Sequence, residues 1–480
     1  MIKFGSFQID PRTWLLTSDH EPVELSPRLV EILGFIIERQ GSIVTKDELL
    51  ERFWPDVHIS DNTLARAIAD IRKALGEDAA APRYLETASR RGYRFVGAKA
   101  SISEASDPFQ DWVKGRLALD SLDSARLNDA ARAFERAAVE LPRYAPAHAG
   151  LANAYLLQYE RTRSVSVPDR GLLVRAMESA RQASTLDPSL GEAWAVLGYL
   201  LSAGGKSEEG QAAARRATAL EPENWRHHYR LAYGAWGEER LRAVDRTLAL
   251  MPGFAPARML GSMVFIARGI IDRAEREASI GAEAQRQHQH DRTPLPAVGF
   301  HWLRGMIVAA RGDRDAALEC FGEEITAAAT GHVYAREFAV NAHVASGFTL
   351  LAVDNRDAAS AAFTQAFAET NGHPKASAGV FALAMTSGDP SSISSARTDV
   401  EASIAELTRG GRHIEAALVA AGVQIAEGRV DHAVEQLDRF LTASPAGPAG
   451  WIIPIDPMLA AIHANRGKAA LFSRLAARAA

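Results

Sequence analysis

Asp61-Asn62-Thr63-Leu64-Ala65-Arg66-Ala67-Ile68-Ala69-Asp70-Ile71-Arg72-Lys73-Ala74-Leu75-Gly76 decides how the first fifth of this 480-residue chain folds. Leu64, Ile68, Ile71 and Leu75 recur at steps of three and four, so they share one face of an α-helix, and Gly76 ends it. Asn62, Thr63, Arg66, Ala69, Asp70 and Lys73 then face away from that stripe. A helix apolar on one side and rich in hydrogen-bonding groups on the other is suited to lie on a protein core and present side chains to something else. Arg66 and Asp70 stand four apart, so they can also pair with each other on a solvated face.

Working outward, two more helices precede this one. Thr45, with Glu48 three residues on, forms a capping box that opens a helix running to about Trp54-Pro55. Ser26 followed by Pro27 is expected to cap an earlier helix whose stripe is Leu29, Ile32, Leu33, Ile36 and Ile37, with Gly41 after it. Ile2–Ile9, Trp14–Thr17 and Val23-Glu24-Leu25 read as a small antiparallel sheet. Tyr84–Thr87 and Tyr93–Val96, separated by Ser89-Arg90-Arg91-Gly92, read as a β-hairpin. Three helices and a hairpin form the layout that sets a helix in a major groove with a wing beside it.

Phe7-Gln8-Ile9-Asp10-Pro11, Val23-Glu24-Leu25-Ser26-Pro27, the helix Thr45–Trp54, Ile71-Arg72-Lys73-Ala74-Leu75-Gly76 and Arg91-Gly92-Tyr93-Arg94-Phe95 occur in that order. Together they resemble the OmpR/PhoB-type winged helix-turn-helix over residues 1–98. The resemblance implies double-stranded DNA as partner and Asn62, Thr63, Arg66, Asp70 and Lys73 as groove-facing residues. Arg66 is the best placed of these to bond two acceptors on a guanine. It also implies that Trp54 and Arg72 contact the phosphate backbone, although Trp54 can equally be core, and that the loop 55–60 touches RNA polymerase. Receiver-bearing relatives often have Arg where Ala69 and Asp70 stand, and a wing Arg where Ser89 stands. This chain departs at all three positions, so the wing's minor-groove role is expected to pass to Arg90 or Arg91.

Charge is distributed to suit that use. Residues 1–98 hold 13 Lys and Arg against 15 Asp and Glu, yet 62–98 hold 7 against 4. So modest an excess predicts salt-sensitive binding that self-association or adjacent sites would strengthen.

The stretch 99–107 is small and polar and reads as a linker. From 108 to 480 a different pattern takes over, with Leu then Gly or Ala in one helix, spaced Ala and bulky residues in the next, and a closing Pro. Trp194, Leu197, Gly198, Leu201, Ala214, Ala217 and Pro222 form the clearest copy. Leu151, Ala152, Tyr155, Ala176, Ala180, Ala183 and Pro188 form another, with extra residues around Arg161–Asp169. This spacing resembles tetratricopeptide repeats, about eight in all, with Arg273–His290 and Ala376–Leu407 irregular and a cap beginning at Trp451. The fold class expected is therefore mainly α: a winged helix-turn-helix (α+β) followed by an α-helical tetratricopeptide-repeat solenoid.

Composition supports a folded, non-secreted chain. Apolar residues make up 47% and charged residues 24%, net charge is −5, and Cys320 is the single cysteine, which excludes an internal disulfide. No run is long enough to span a membrane and no leader is visible, so the cytoplasm is expected. Gly204-Gly205-Lys206-Ser207 lacks the first glycine of a phosphate loop, and His288-Gln289-His290-Asp291 is read as a solvated loop. No cofactor, metal or catalytic set is expected, and the chain reads as no enzyme. No receiver segment precedes the winged helix, so phosphorylation of an aspartate here is not the expected input. The reading is a DNA-binding transcriptional regulator, an activator, whose repeats self-associate or bind a protein, peptide or ligand signal. The alternative is a repeat scaffold whose winged helix docks proteins.

Overall fold

The computed structural model describes every residue except 1, 11–13, 19–20, 24, 40, 55–60, 89–90, 98–100, 103–107, 121, 163–167, 292–296 and 371. Phe4 and Phe7 stack with ring centres 5.5 Å apart, and the chain between them reverses at Gly5, whose φ is +56°. The expected first strand is thus a hairpin of β1 (Ile2–Phe4) and β2 (Phe7–Asp10), followed by β3 (Leu15–Ser18) and β4 (Glu21–Pro22). Val23–Leu25, expected as the last strand, lies just past β4 and keeps one ladder bond, Val23 N–H to Leu16 O.

Helix α1 (Pro27–Glu38) begins with Pro27 as expected, but Ser26 caps it through its backbone. Its carbonyl accepts from the Leu29 and Val30 amides and its hydroxyl makes no cap bond. Burial here is not confined to the anticipated stripe. Every residue from Val30 to Ile37 is buried, Glu31 included, because a second body covers the opposite side. β5 (Ile43–Thr45) leads into α2 (Lys46–Phe53), where the Thr45–Glu48 capping box is present in full. α3 (Asp61–Leu75) is followed by β6 (Leu85–Ala88) and β7 (Gly92–Phe95). β7 lies between β6 and β5, antiparallel to both. β8 (Ser101–Ile102) falls inside the stretch expected as linker and pairs with β1, so the first sheet runs β4-β3-β2-β1-β8.

The helical hairpins then follow in pairs. They are α4 (Pro108–Asp120) with α5 (Leu127–Glu140), α6 (Ala145–Glu160) with α7 (Arg170–Leu186), and α8 (Gly191–Ala203) with α9 (Ser207–Leu220). Next come α10 (Trp225–Gly234) with α11 (Gly237–Leu250), α12 (Pro256–Ala267) with α13 (Ile271–Asp291), and α14 (Phe300–Ala310) with α15 (Arg314–Ala327). The last are α16 (Ala335–Leu351) with α17 (Arg356–Thr370), α18 (Pro374–Ser387) with α19 (Pro390–Arg409), and α20 (His413–Ala426) with α21 (Val430–Ala443). A 3-10 helix, Pro457–Ala464, and α22 (Lys468–Arg478) close the array.

That makes nine hairpins among the described residues, where about eight were read. Of the segments read as irregular, Arg273–His290 lies in the long second helix α13 and Ala376–Leu407 spans α18 and the long second helix α19. The recurrent small residues have a steric cause. The ring of Phe134 on α5 lodges against Gly115 of α4 and Gly150 of α6, where an added Cβ would stand 2.9 Å and 2.3 Å from it. Stacking therefore requires glycine on both first helices that the ring touches.

The array curls until its distant parts meet. Val333 N–H donates to Leu122 O at 3.0 Å, Arg170 donates to Gly410 O, and Arg268 Nε donates to Ala479 O at 2.7 Å. The first helices of successive hairpins line the inside of the curl, and α1 and α2 also line the cavity so formed.

Gly92 holds the wing against β5. Its φ is +154°, and a Cβ there would stand 2.0 Å from Val44 O. Gly92→Ala should therefore destabilise the protein by more than about 1 kcal/mol, read as a lowered denaturant midpoint; an unchanged midpoint would contradict the β5–β7 packing.

Candidate nucleic-acid interface and its seam with the repeats

The apolar stripe of α3 sets its outer face. Leu64, Ile68, Ile71 and Leu75 are buried, while Thr63, Arg66, Ala69, Asp70 and Lys73 are exposed. Among the described residues no ion pair joins Arg66 to Asp70, so the guanidinium is not tied down by its own helix. Asn62 lies on the first turn of α3, with its side chain outside the described residues.

Arg91 is exposed at the wing turn. Its amide donates to Ala88 O at 2.9 Å and its carbonyl accepts from Lys46 N–H at 3.3 Å, which joins the wing to the start of α2. Arg90 and the loop 55–60 lie outside the described residues.

Two of the residues expected to touch phosphates have other work in the fold. Arg72 is 9% exposed, and its guanidinium donates to Leu85 O at 2.9 Å and Thr87 Oγ1 at 2.8 Å, so it braces the wing against α3. Trp54 is half-buried at the end of α2, with the Arg28 guanidinium 4.9 Å from its ring centre and Phe53 beside it. It lines the cavity that the repeats enclose.

Glu77, which sequence reasoning passed over, positions the hairpin from the other end. Its carboxylate accepts from the backbone amides of Arg83, Tyr84 and Leu85 at 2.9, 2.7 and 3.0 Å. The available signal was an acidic residue directly after the helix-ending Gly76.

The seam between the two bodies centres on Glu31. The Tyr144 hydroxyl, at the start of α6, donates to Glu31 Oε2 at 2.8 Å, and both residues are buried. Trp14 of the sheet and Trp112 of α4 flank the tyrosine ring, each at 6.0 Å between centres. Trp14 keeps a left-handed φ of +50°, a strained backbone for a large side chain that its burial at the seam sustains. Among the described residues Oε1 of Glu31 is buried without a partner, and burial pushes the carboxyl up to about 7 against the pull of Tyr144, Arg28, Arg52 and Arg116. Burial and the neighbouring carboxylate hold the Tyr144 phenol well above its ordinary value.

These features define a winged helix-turn-helix domain with the polar face of α3 turned outward, carried on a tetratricopeptide-like helical array. The family described as "Transcriptional regulatory protein, C terminal" matches residues 20–95. The N-terminal unit is an OmpR/PhoB-type domain, homologous to those of the transcriptional activator CadC of Escherichia coli and the transcriptional regulator HilA of Salmonella typhimurium. CadC is 25% identical over 97 residues, 20% of this chain and 19% of CadC. HilA is 35% identical over 92 residues, 19% of this chain and 16% of HilA. The chain thus spans less than a fifth of either relative. A tetratricopeptide repeat protein of known structure from Parabacteroides merdae is 17% identical over 54% of this chain and 93% of that one, with a TM-score of 0.35. Among the described residues no helix is long and apolar enough to cross a membrane.

Glu31 gives the seam a dependence on pH. An acid whose folded value lies above its unfolded one stabilises the fold in its protonated form. That contribution is complete below about 4.5, declines as pH rises and only the unfolded chain ionises, and is gone above about 7. A shift of this size corresponds to roughly 3 kcal/mol. Glu31→Gln should flatten that decline and leave the protein more stable than wild type at pH 8. Parallel thermal melts of the two proteins across pH 4–8 read the difference directly, and parallel curves would refute it.

Proposed function

We propose that the chain is a sequence-specific DNA-binding transcriptional regulator, acting as an activator, in which residues 1–98 contact DNA and residues 108–480 receive a signal or a partner. The observation that carries this reading is the outward face of α3, with Arg66, Asp70 and Lys73 exposed on the far side of its apolar stripe and Arg91 exposed on the wing. None of these four lines the cavity between the two bodies, so docking against the repeats leaves that face open.

Arg66 is assigned the base-edge contact, with Asn62, Thr63, Asp70 and Lys73 around it. Arg90 and Arg91 are assigned the minor groove beside the wing. Arg72 and Trp54 serve the same surface from within, Arg72 by fixing the wing and Trp54 by closing the end of α2. Contact between the loop 55–60 and RNA polymerase, self-association through the repeats, and residence in the cytoplasm belong to the same proposal.

Capture of genomic fragments bound by the tagged full chain supplies the DNA for the test. Arg66→Ala should narrow the gap between captured and random duplex by about 1–3 kcal/mol, while Arg91→Ala should weaken both alike. Equal affinity of the wild-type chain for captured and random duplex at physiological salt would sink the regulator reading and favour a scaffold.

A further inference from the structure

Inside the curl, α4, α6, α8 and α10 bring one half-buried polar network to the wall of a cavity of about 2080 Å³. Glu192 accepts from Arg116 at 2.6 Å and from Asn153 Nδ2 at 2.9 Å. The Asn153 side-chain oxygen in turn accepts from Arg230. Among the described residues, then, Arg230 is hydrogen-bonded to a neutral amide and has no carboxylate at ion-pair distance, while the nearest acid is already engaged elsewhere. Burial, against the opposing pull of the Glu192 carboxylate and with Arg226 and Arg116 close by, brings its guanidinium down to about 10, so three arginines share the one carboxylate of this network.

A second observation comes from the same helix. Trp225 is 3% exposed and lines this cavity, yet among the described residues its indole N–H, a group that can only donate, has no acceptor. Beside Arg230 stands an apolar wall, where the rings of Tyr199 and Tyr233 are stacked 3.7 Å apart and 15° from parallel.

We propose that this part of the cavity is a binding site for a small organic acid, its anionic head held by Arg230 and the Trp225 indole N–H and its apolar body laid against Tyr199 and Tyr233. The inference deepens the reading of the repeats as the part that receives a signal, and rests on it. Arg28 of α1 lines the same cavity, so a ligand there sits within reach of the DNA-binding unit's side of the seam. Carboxylate and phosphate-ester heads share the required chemistry.

Isothermal calorimetry on the full chain without DNA separates them, with benzoate and phenyl phosphate as probes and benzyl alcohol as the uncharged control. At least one of the two acids should bind saturably at submillimolar concentration, and benzyl alcohol should bind at least tenfold more weakly. Arg230→Met should weaken the acid at least tenfold, and Arg230→Lys should recover part of that loss. Trp225→Phe keeps the ring beside Phe254 and removes the N–H, so it carries the test if Arg230→Met fails to fold; it should weaken the acid about threefold or more. Overturning results are saturable binding of neither acid, equal binding of the alcohol, unchanged affinity in both Arg230→Met and Trp225→Phe, or binding of an acidic tetrapeptide alone, which would assign the site to a protein partner. A chain that binds the acid but does not prefer captured DNA would overturn the regulator reading and leave this site standing.

Discussion

The Tyr144 hydroxyl reaching the buried carboxyl of Glu31 is the contact on which the relation between the two bodies turns. A carboxyl in the middle of an apolar helix is costly unless something shares its charge or proton. One oxygen has the tyrosine and the other has no partner among the described residues, and burial favours the protonated acid. Around it Trp14, Trp112 and Tyr144 supply the apolar area, and the core of the winged helix continues without a break into that of the first hairpins. The winged helix is accordingly packed on the array through one continuous core, and the exposed residues of α3 do not line the enclosed cavity.

Much of the first body was legible because its signals are local. The capping box at Thr45 and Glu48, the stripe from Leu64 to Leu75 and the hairpin around Gly92 each depend on neighbours a few residues away. The strand order was less legible. Neither β5 nor β8 has enough length to announce itself, and both exist because a partner strand offers hydrogen-bonding groups to them. Arg72 shows a different limit. Exposed arginine and buried arginine look alike in a sequence, and only the approach of Leu85 and Thr87 reveals that this one faces inward.

Glu31 was readable in principle. Val30–Ile37 is apolar apart from that one residue, and a helix without a polar side has to be covered all round. Taking one stripe as the whole buried surface treated the winged helix as standing alone, and the missing cover is the repeat array itself. In the repeats the small-residue spacing was legible because it is steric, as at Phe134 between Gly115 and Gly150. The polar network at Asn153, Glu192 and Arg230 was not, since its bonded pairs lie 39 and 77 residues apart and only superhelical stacking brings them together.

An open stack of helical hairpins behaves as a soft spring, because each unit holds only its neighbours and small rotations add up along the chain. The bonds from Arg268 to Ala479, Arg170 to Gly410 and Val333 to Leu122 join units far apart in the series. With its coils tied together at three places, the array is a clasp rather than a spring. Those fasteners oppose gradual uncoiling and favour motion that opens one of them or shifts the seam.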